Sequence, residues 1–277
     1  MSNLLSANLI RLKKSKEFWL CAVSTLMISG GMIYSSSGWA KEAAERGFIK
    51  PLDDYYFQIA PYIGAIIAIF TSLFLGTEYS DGTIRNKLVV GHTRTNIYLA
   101  NFWTCLVSGI IITAMWFIGG LPGLYLIGGF EMGISGVITY FLVALGTTAA
   151  FSAIFVLVST ISQNKAYTVV RVLILWVVTA LAASGIYDRL QELEFNGGMA
   201  MINGEFVMME DMPNPLYLTG SVRAVFECLY RIIPTGQAIA MMETEITTPV
   251  LDIAISVIVT VMITMFGILM YRKKDLK

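Results

Sequence analysis

Charge, histidine and cysteine are all scarce in this 277-residue sequence, and each scarcity removes a class of function. Only 14% of the residues are charged against 56% hydrophobic, and the mean hydropathy is +0.69. A water-soluble globule is thereby excluded, because such a chain would leave very large apolar patches in water. The single histidine, His92, has no second His, Cys or Glu converging with it, so it reads as a loop residue and neither a metal site nor a proton relay is expected. Cys21, Cys105 and Cys228 form no C-x-x-C pair, and two of the three lie in apolar runs, so they read as packing residues. There is no Walker A sequence, no H-E-x-x-H and no G-x-S-x-G, which removes P-loop nucleotide binding and hydrolytic catalysis. No ionisable residue falls near the middle of a long apolar run, and no internal repeat is evident. A secondary transporter, which binds its coupling ion at membrane depth, is therefore the weakest of the transport readings.

What the chain does have is a series of apolar runs long enough to cross a bilayer, which takes about 20 helical residues. They fall near 18–36, 56–75, 97–118, 134–158, 166–187 and 250–271. The first is longer than a signal-peptide core and no A-x-A site follows it, so it reads as a retained span. Six crossings put both ends on one side, and an all-α polytopic membrane protein is the expected fold. Ahead of the first span, Leu4, Leu5, Leu9 and Leu12 share a helical face that includes Asn8, with basic residues opposite. That is the pattern of an amphipathic helix at a membrane interface. Basic residues decide the orientation. Segments on the N-terminal side carry Arg11, Lys13, Lys14, Lys16, Arg85, Lys87, Arg94, Lys165, Arg171 and the tail cations, while the other side holds only Lys41, Arg46, Lys50, Arg189, Arg223 and Arg231. The positive-inside rule makes the N-terminal side cytoplasmic.

Between spans two and three lies a compact polar block, Gly76 to Arg94. It reads as lying outside the bilayer and holding a short helix, with Asp81 or Ser80 as its N-cap and Gly91 at its left-handed end. Ile84 and Leu88 fall four apart on one face, with Arg85 and Lys87 pointing elsewhere. On the other side of the membrane, residues 37–55 form a polar loop with room for a short helix, and the glycine-rich 119–133 connection with Pro122 is a tight bend. Residues 188–249 form a small external subdomain. In it Asn203-Gly204 marks a hairpin between 199–202 and 205–208. Ser221 is placed to cap a helix with Val222, Phe226, Leu229 and Ile233 on one face, and Pro234 ends it.

The block Gly76-Thr77-Glu78-Tyr79-Ser80-Asp81-Gly82-Thr83-Ile84-Arg85-Asn86-Lys87 resembles the G-x-E-x-x-x-G-T-x-R pattern of ABC-2 type transporter permease subunits, the bacterial exporters of the drug, antibiotic-peptide and lantibiotic transport and immunity type. Arg94 with Tyr98, the stretch from Asn214-Pro215 to Leu229, and Pro234-Thr235-Gly236-Gln237 before the last span strengthen the resemblance. The resemblance implies one transmembrane domain over 1–277 that pairs with a second permease copy or a sister permease and with two ABC ATPase subunits. Those subunits bind the ATP and magnesium, and this chain holds no cofactor, binds no nucleic acid and is not an enzyme. The polar block becomes the coupling helix, with Glu78, Tyr79, Asp81, Gly82, Thr83, Ile84, Arg85, Asn86, Lys87 and Leu88 as its ATPase-coupling residues. Other readings stay open at this point: capping for Asp81, Gly82 and Gly91, and for Glu78 a salt bridge to Arg85 or to the N-terminal basic cluster. Spans two and five are expected to wall the pathway, with Phe57, Tyr62, Phe70 and Trp176 lining it for a hydrophobic or amphipathic cargo, although such aromatics are also common interfacial belt residues. A different class of function remains: a non-transporting immunity or scaffold protein that binds a toxin or sensor through 188–249.

Overall fold

A computed structural model describes residues 1–162, 164–196, 199–202, 205–208 and 212–273. A short helix, α1 (Ser2–Lys14), precedes α2 (Lys16–Glu45), which starts where the Ser15 hydroxyl accepts the Phe18 N–H at 3.1 Å. After α3 (Asp53–Tyr56), α4 (Ala60–Ser80) begins with Pro61 in its first turn, where a missing N–H costs nothing. Next come α5 (Thr83–Val89) and α6 (Arg94–Gly120), the latter capped by Thr93 on the Asn96 N–H. A single turn, α7 (Gly123–Leu126), leads to α8 (Gly133–Ile161), and Asn164 caps α9 (Lys165–Gln191) through the Ala166 N–H. Beyond the hairpins lie α10 (Gly220–Ile232), α11 (Pro234–Met242) and α12 (Pro249–Lys273). Six helices have the length and apolar character to cross a membrane, as expected: α2, α4, α6, α8, α9 and α12.

Several local expectations need correction. The first long helix does not stop at residue 36 but runs to Glu45, because Lys41, Glu42, Ala43, Ala44 and Glu45 are good helix formers that continue the ladder. Likewise α4 continues through Ser80, so Gly76 to Ser80 belong to the span helix and not to a separate polar block. Neither Asp81 nor Ser80 caps α5. The corner is made by Gly82 in the left-handed region (φ +65°), and the Ser80 hydroxyl instead accepts the Lys165 N–H at the start of α9. Gly91 does have the expected left-handed backbone, with φ +96°. Ser221 is not the cap of α10, whose N-cap position is Thr219.

The helix α4 lies at the centre, packed on α2, α6, α8, α9 and α11, while α8 has its longest contact with α12. Lipid gives helices no hydrophobic reason to associate, so close packing and interhelical hydrogen bonds hold the bundle. Thr113 and Thr148 pair at 2.7 Å between α6 and α8, and the Ser29 hydroxyl donates to the Trp116 carbonyl at 2.9 Å between α2 and α6. At the distal end, away from α1 and α5, the core is built on Phe57, Trp116 and Tyr140, and it extends along α8 to Phe151 and Phe155. The basal core gathers Leu4, Leu12, Phe18, Phe70, Phe74, Ile84 and Tyr98.

The buried carboxylate of Asp53 fixes the distal corner by accepting the backbone N–H groups of Glu131 at 2.6 Å and Met132 at 3.4 Å, just ahead of α8. Both are donors that the helix itself leaves unpaired. Asp53→Ala is expected to cost about 1–2 kcal/mol, seen as a lower melting temperature of the detergent-solubilised protein; an unchanged melt would show that the carboxylate adds nothing.

In the 188–249 segment β2 (Met199–Ile202) pairs antiparallel with β3 (Glu205–Met208), with Ile202 opposite Glu205, as a hairpin at this place requires. The turn residues 203 and 204 themselves lie outside the described residues. A second pair joins β1 (Phe195–Asn196) to β4 (Met212–Pro213). On α10, Val222, Val225, Leu229 and Ile232 are exposed, while Tyr230 stacks on Tyr187 of α9 and Arg231 pairs with Asp252 of α12 at 2.7 Å.

Candidate functional site

At the basal end four polar side chains from four helices close a ring. The Glu78 carboxylate, at the end of α4, has a side chain that is 0% exposed. Its Oε1 accepts Lys87 Nζ of α5 at 2.5 Å, and its Oε2 accepts Asn101 Nδ2 of α6 at 3.2 Å. Asn101 Oδ1 accepts Asn8 Nδ2 of α1 at 2.9 Å, and Asn8 Oδ1 accepts Lys87 Nζ at 3.2 Å, which returns to the start. Arg11 of α1 joins from outside the ring: one guanidinium nitrogen pairs with Glu78, another donates to the Phe74 carbonyl, and the group sits 3.7 Å over the Phe74 ring. A buried carboxylate is tolerable only when paired and fully hydrogen-bonded, and here two cations and an amide meet that need.

The ring decides which residues of the coupling segment are inside and which outside. Ile84 is buried and Leu88 packs on the same core, so that face holds α5 to the bundle. Glu78 and Lys87 are turned into the ring and away from the surface; in particular Lys87 does not point off the bundle as the four-apart pattern of Ile84 and Leu88 suggests. Thr83 donates through its hydroxyl to the Glu78 carbonyl at 3.1 Å, and Tyr79 is half-buried among the same elements. Asp81, Arg85 and Asn86 are exposed, and so are two apolar residues absent from the expected set, Val89 at 86% and Val90 at 77%. Paired valines beside a turn are a visible signal in the sequence, since the packed face of α5 is already filled by Ile84 and Leu88. Of the two salt-bridge partners that the sequence offers Glu78, the N-terminal basic cluster supplies one, Arg11, and Arg85 stays exposed. Asn101, one amide inside an apolar run, gave no such signal, and Asn8 stands out only as a polar residue among leucines.

Of the four aromatics expected along a pathway, Phe57 and Phe70 are fully buried inside the single chain. In this structure they face the chain's own core and not a route between two copies. Tyr62 is 55% exposed, and Trp176 is half-buried against Gly64 of α4.

The Pro234-Thr235-Gly236-Gln237 stretch also acquires a structural reading. Pro234 both follows α10 and opens α11, whose residues from Pro234 to Met241 are all buried between α4, α8 and α9. The Thr235 hydroxyl donates to the Thr179 carbonyl of α9 at 2.9 Å. Gln237 makes four hydrogen bonds: its Oε1 accepts from Thr147 of α8 and Ser256 of α12, and its Nε2 donates to the carbonyls of Arg231 and Asp252. Gly236 lies so close to the Tyr230 carbonyl oxygen that a Cβ would sit 2.0 Å from it.

Among the described residues no group of His, Cys, Asp or Glu could hold a metal ion. The body is polytopic and helical, with buried polar clasps and a basal helix that is bare on one side. Residues 4–182 match the family model described as ABC-2 family transporter protein, and the chain belongs to that family. It is thus a multi-pass permease component, of a family that generally works with ABC ATPase partners. No curated protein matches the sequence.

Proposed function

We propose that this chain is the membrane half of an ATP-driven exporter, with α5 as the helix gripped by a partner ATPase. The observation that carries the reading is the division of α5 into an anchored face, held by Ile84 and the Glu78 ring, and an exposed side of Arg85, Asn86 and Val89 that continues into Val90 just beyond the helix. A helix clamped on one side and bare on the other transmits displacement, because it moves together with the elements that hold it. The basic side of the membrane is then cytoplasmic, with both termini there. Two ATPase subunits bind ATP and magnesium, and a second permease copy or sister permease completes the route. Closure of the ATPases would shift α5, and through the ring α1, α4 and α6, as a rigid unit between two packings of the bundle. Tyr62 and Trp176 on α4 and α9 are the pathway aromatics that this arrangement leaves available, which suits a hydrophobic or amphipathic cargo such as a peptide, drug or lipid-like molecule.

The test is the double variant Arg85→Glu with Val89→Asp. Both positions are exposed, so the melting temperature should stay close to that of the parent protein. Stimulated ATP turnover by the co-purified ATPase should fall by on the order of tenfold or more, as expected for central contacts of an interface. Unimpaired assembly and turnover would overturn the reading. It would then favour a non-transporting immunity or scaffold role, for which the exposed apolar residues of α10 are the natural contact.

A further inference from the structure

The last turns of α8 and α12 enclose a half-open groove of about 390 Å³, lined by Leu157, Ile161, Gly267, Met270, Tyr271 and Lys273. Its walls are apolar, and Ile161 (43% exposed) and Met270 (39% exposed) leave it open to the outside of the bundle. Within the chain it is closed by Tyr271, which is buried, and by Tyr98, whose hydroxyl lies against Gly267. Lys273 stands at the end of the groove, with Arg272 exposed beside it, and Arg94 donates to the Tyr271 carbonyl at 3.3 Å. No carboxylate is among the described residues that line it.

We propose that this groove binds one anionic phospholipid of the leaflet at the basal end, with an acyl chain along the apolar trough and the phosphate against Lys273. The occupant follows from position and charge. Both helices end here after a full apolar span, so the trough is at acyl-chain depth and its cations are at headgroup level. A basic pocket between membrane helices attracts an anionic headgroup where a zwitterionic one gains no net charge pairing. The groove is on α8 and α12, away from α5, and the inference does not depend on how α5 is used.

The test is lipid titration of the intact, delipidated protein in neutral detergent, read by native mass spectrometry, with phosphatidylglycerol and phosphatidylcholine of the same chains. Phosphatidylglycerol is expected to bind tighter by on the order of fivefold at low salt, the weight of one lysine at a membrane surface. That preference should shrink at high salt. Lys273→Gln should remove the preference while leaving phosphatidylcholine binding unchanged, and Met270→Trp, which fills the trough, should weaken both lipids. Equal affinity for the two lipids in the parent protein would overturn the proposal, as would parental binding in both variants. Full competition by chain-free glycerophosphoglycerol would overturn it in favour of a phosphate site, and a changed oligomeric state of Met270→Trp with unchanged lipid binding would reassign the groove to a second copy.

Discussion

Replacing Glu78 with alanine should destabilise the protein by about 3–5 kcal/mol, the usual loss when one member of a buried charge group is removed. The reason is what stays behind. Arg11 and Lys87 would face each other across an emptied, desolvated position, Asn101 would lose an acceptor, and the attachments of α1 and α5 would weaken together. Glu78→Gln keeps one oxygen acceptor but loses the charge and turns an NH₂ toward donors, so it should fall between the parent and alanine. The measurement is thermal unfolding in detergent, followed by size-exclusion fluorescence, with ATPase co-purification as a second readout. An alanine variant that melts with the parent would show that water, and not the carboxylate, satisfies the two cations.

Gly236→Ala is the second large effect. The added methyl would meet the Tyr230 carbonyl oxygen at 2.0 Å, and that oxygen is backbone at the junction of α10 and α11, with no rotamer to escape into. Since α11 is walled by α4, α8 and α9, the clash has to be relieved by displacing α11 itself, which strains the four hydrogen bonds of Gln237. The expected cost is about 3 kcal/mol, the upper part of the range for overpacking. Gln237→Ala should also destabilise, without any clash, because the Ser256 hydroxyl and the Arg231 carbonyl lose the bonds they make to it, while Thr147 keeps its bond to the Val143 carbonyl. A Gly236→Ala protein with unchanged melting and unchanged resistance of 188–249 to protease would mean that α11 shifts freely.

The spans were legible because an apolar run of about 20 residues has few alternatives to crossing a bilayer. The helix α11 was not. Its A-I-A-M-M run is too short to cross anything, and Pro234 was read as a stop although proline is equally suited to the first turn of a new helix. The coupling segment was found from its polar flanks and glycines, but the roles within it divide according to partners distant in sequence. Glu78 meets Arg11 across 67 residues and Asn101 across 23. Charge on a short helix marks what water would prefer, and that preference yields when a neighbouring carboxylate offers more. Lys87 was therefore expected outward and lies inward, while Val89 and Val90 were passed over and are exposed.

The Asn8–Asn101 contact also sets an order of assembly, because the two residues are 93 positions apart. As the chain is made, α1 is finished long before Phe74, Glu78 and Asn101 exist to receive it. At about 5–20 residues per second, the leading helix has on the order of 5–20 s in which its leucines have no protein to rest on. A bilayer surface is the natural waiting place for those leucines, and the amphipathic sequence that later docks into the bundle is suited to lie there first.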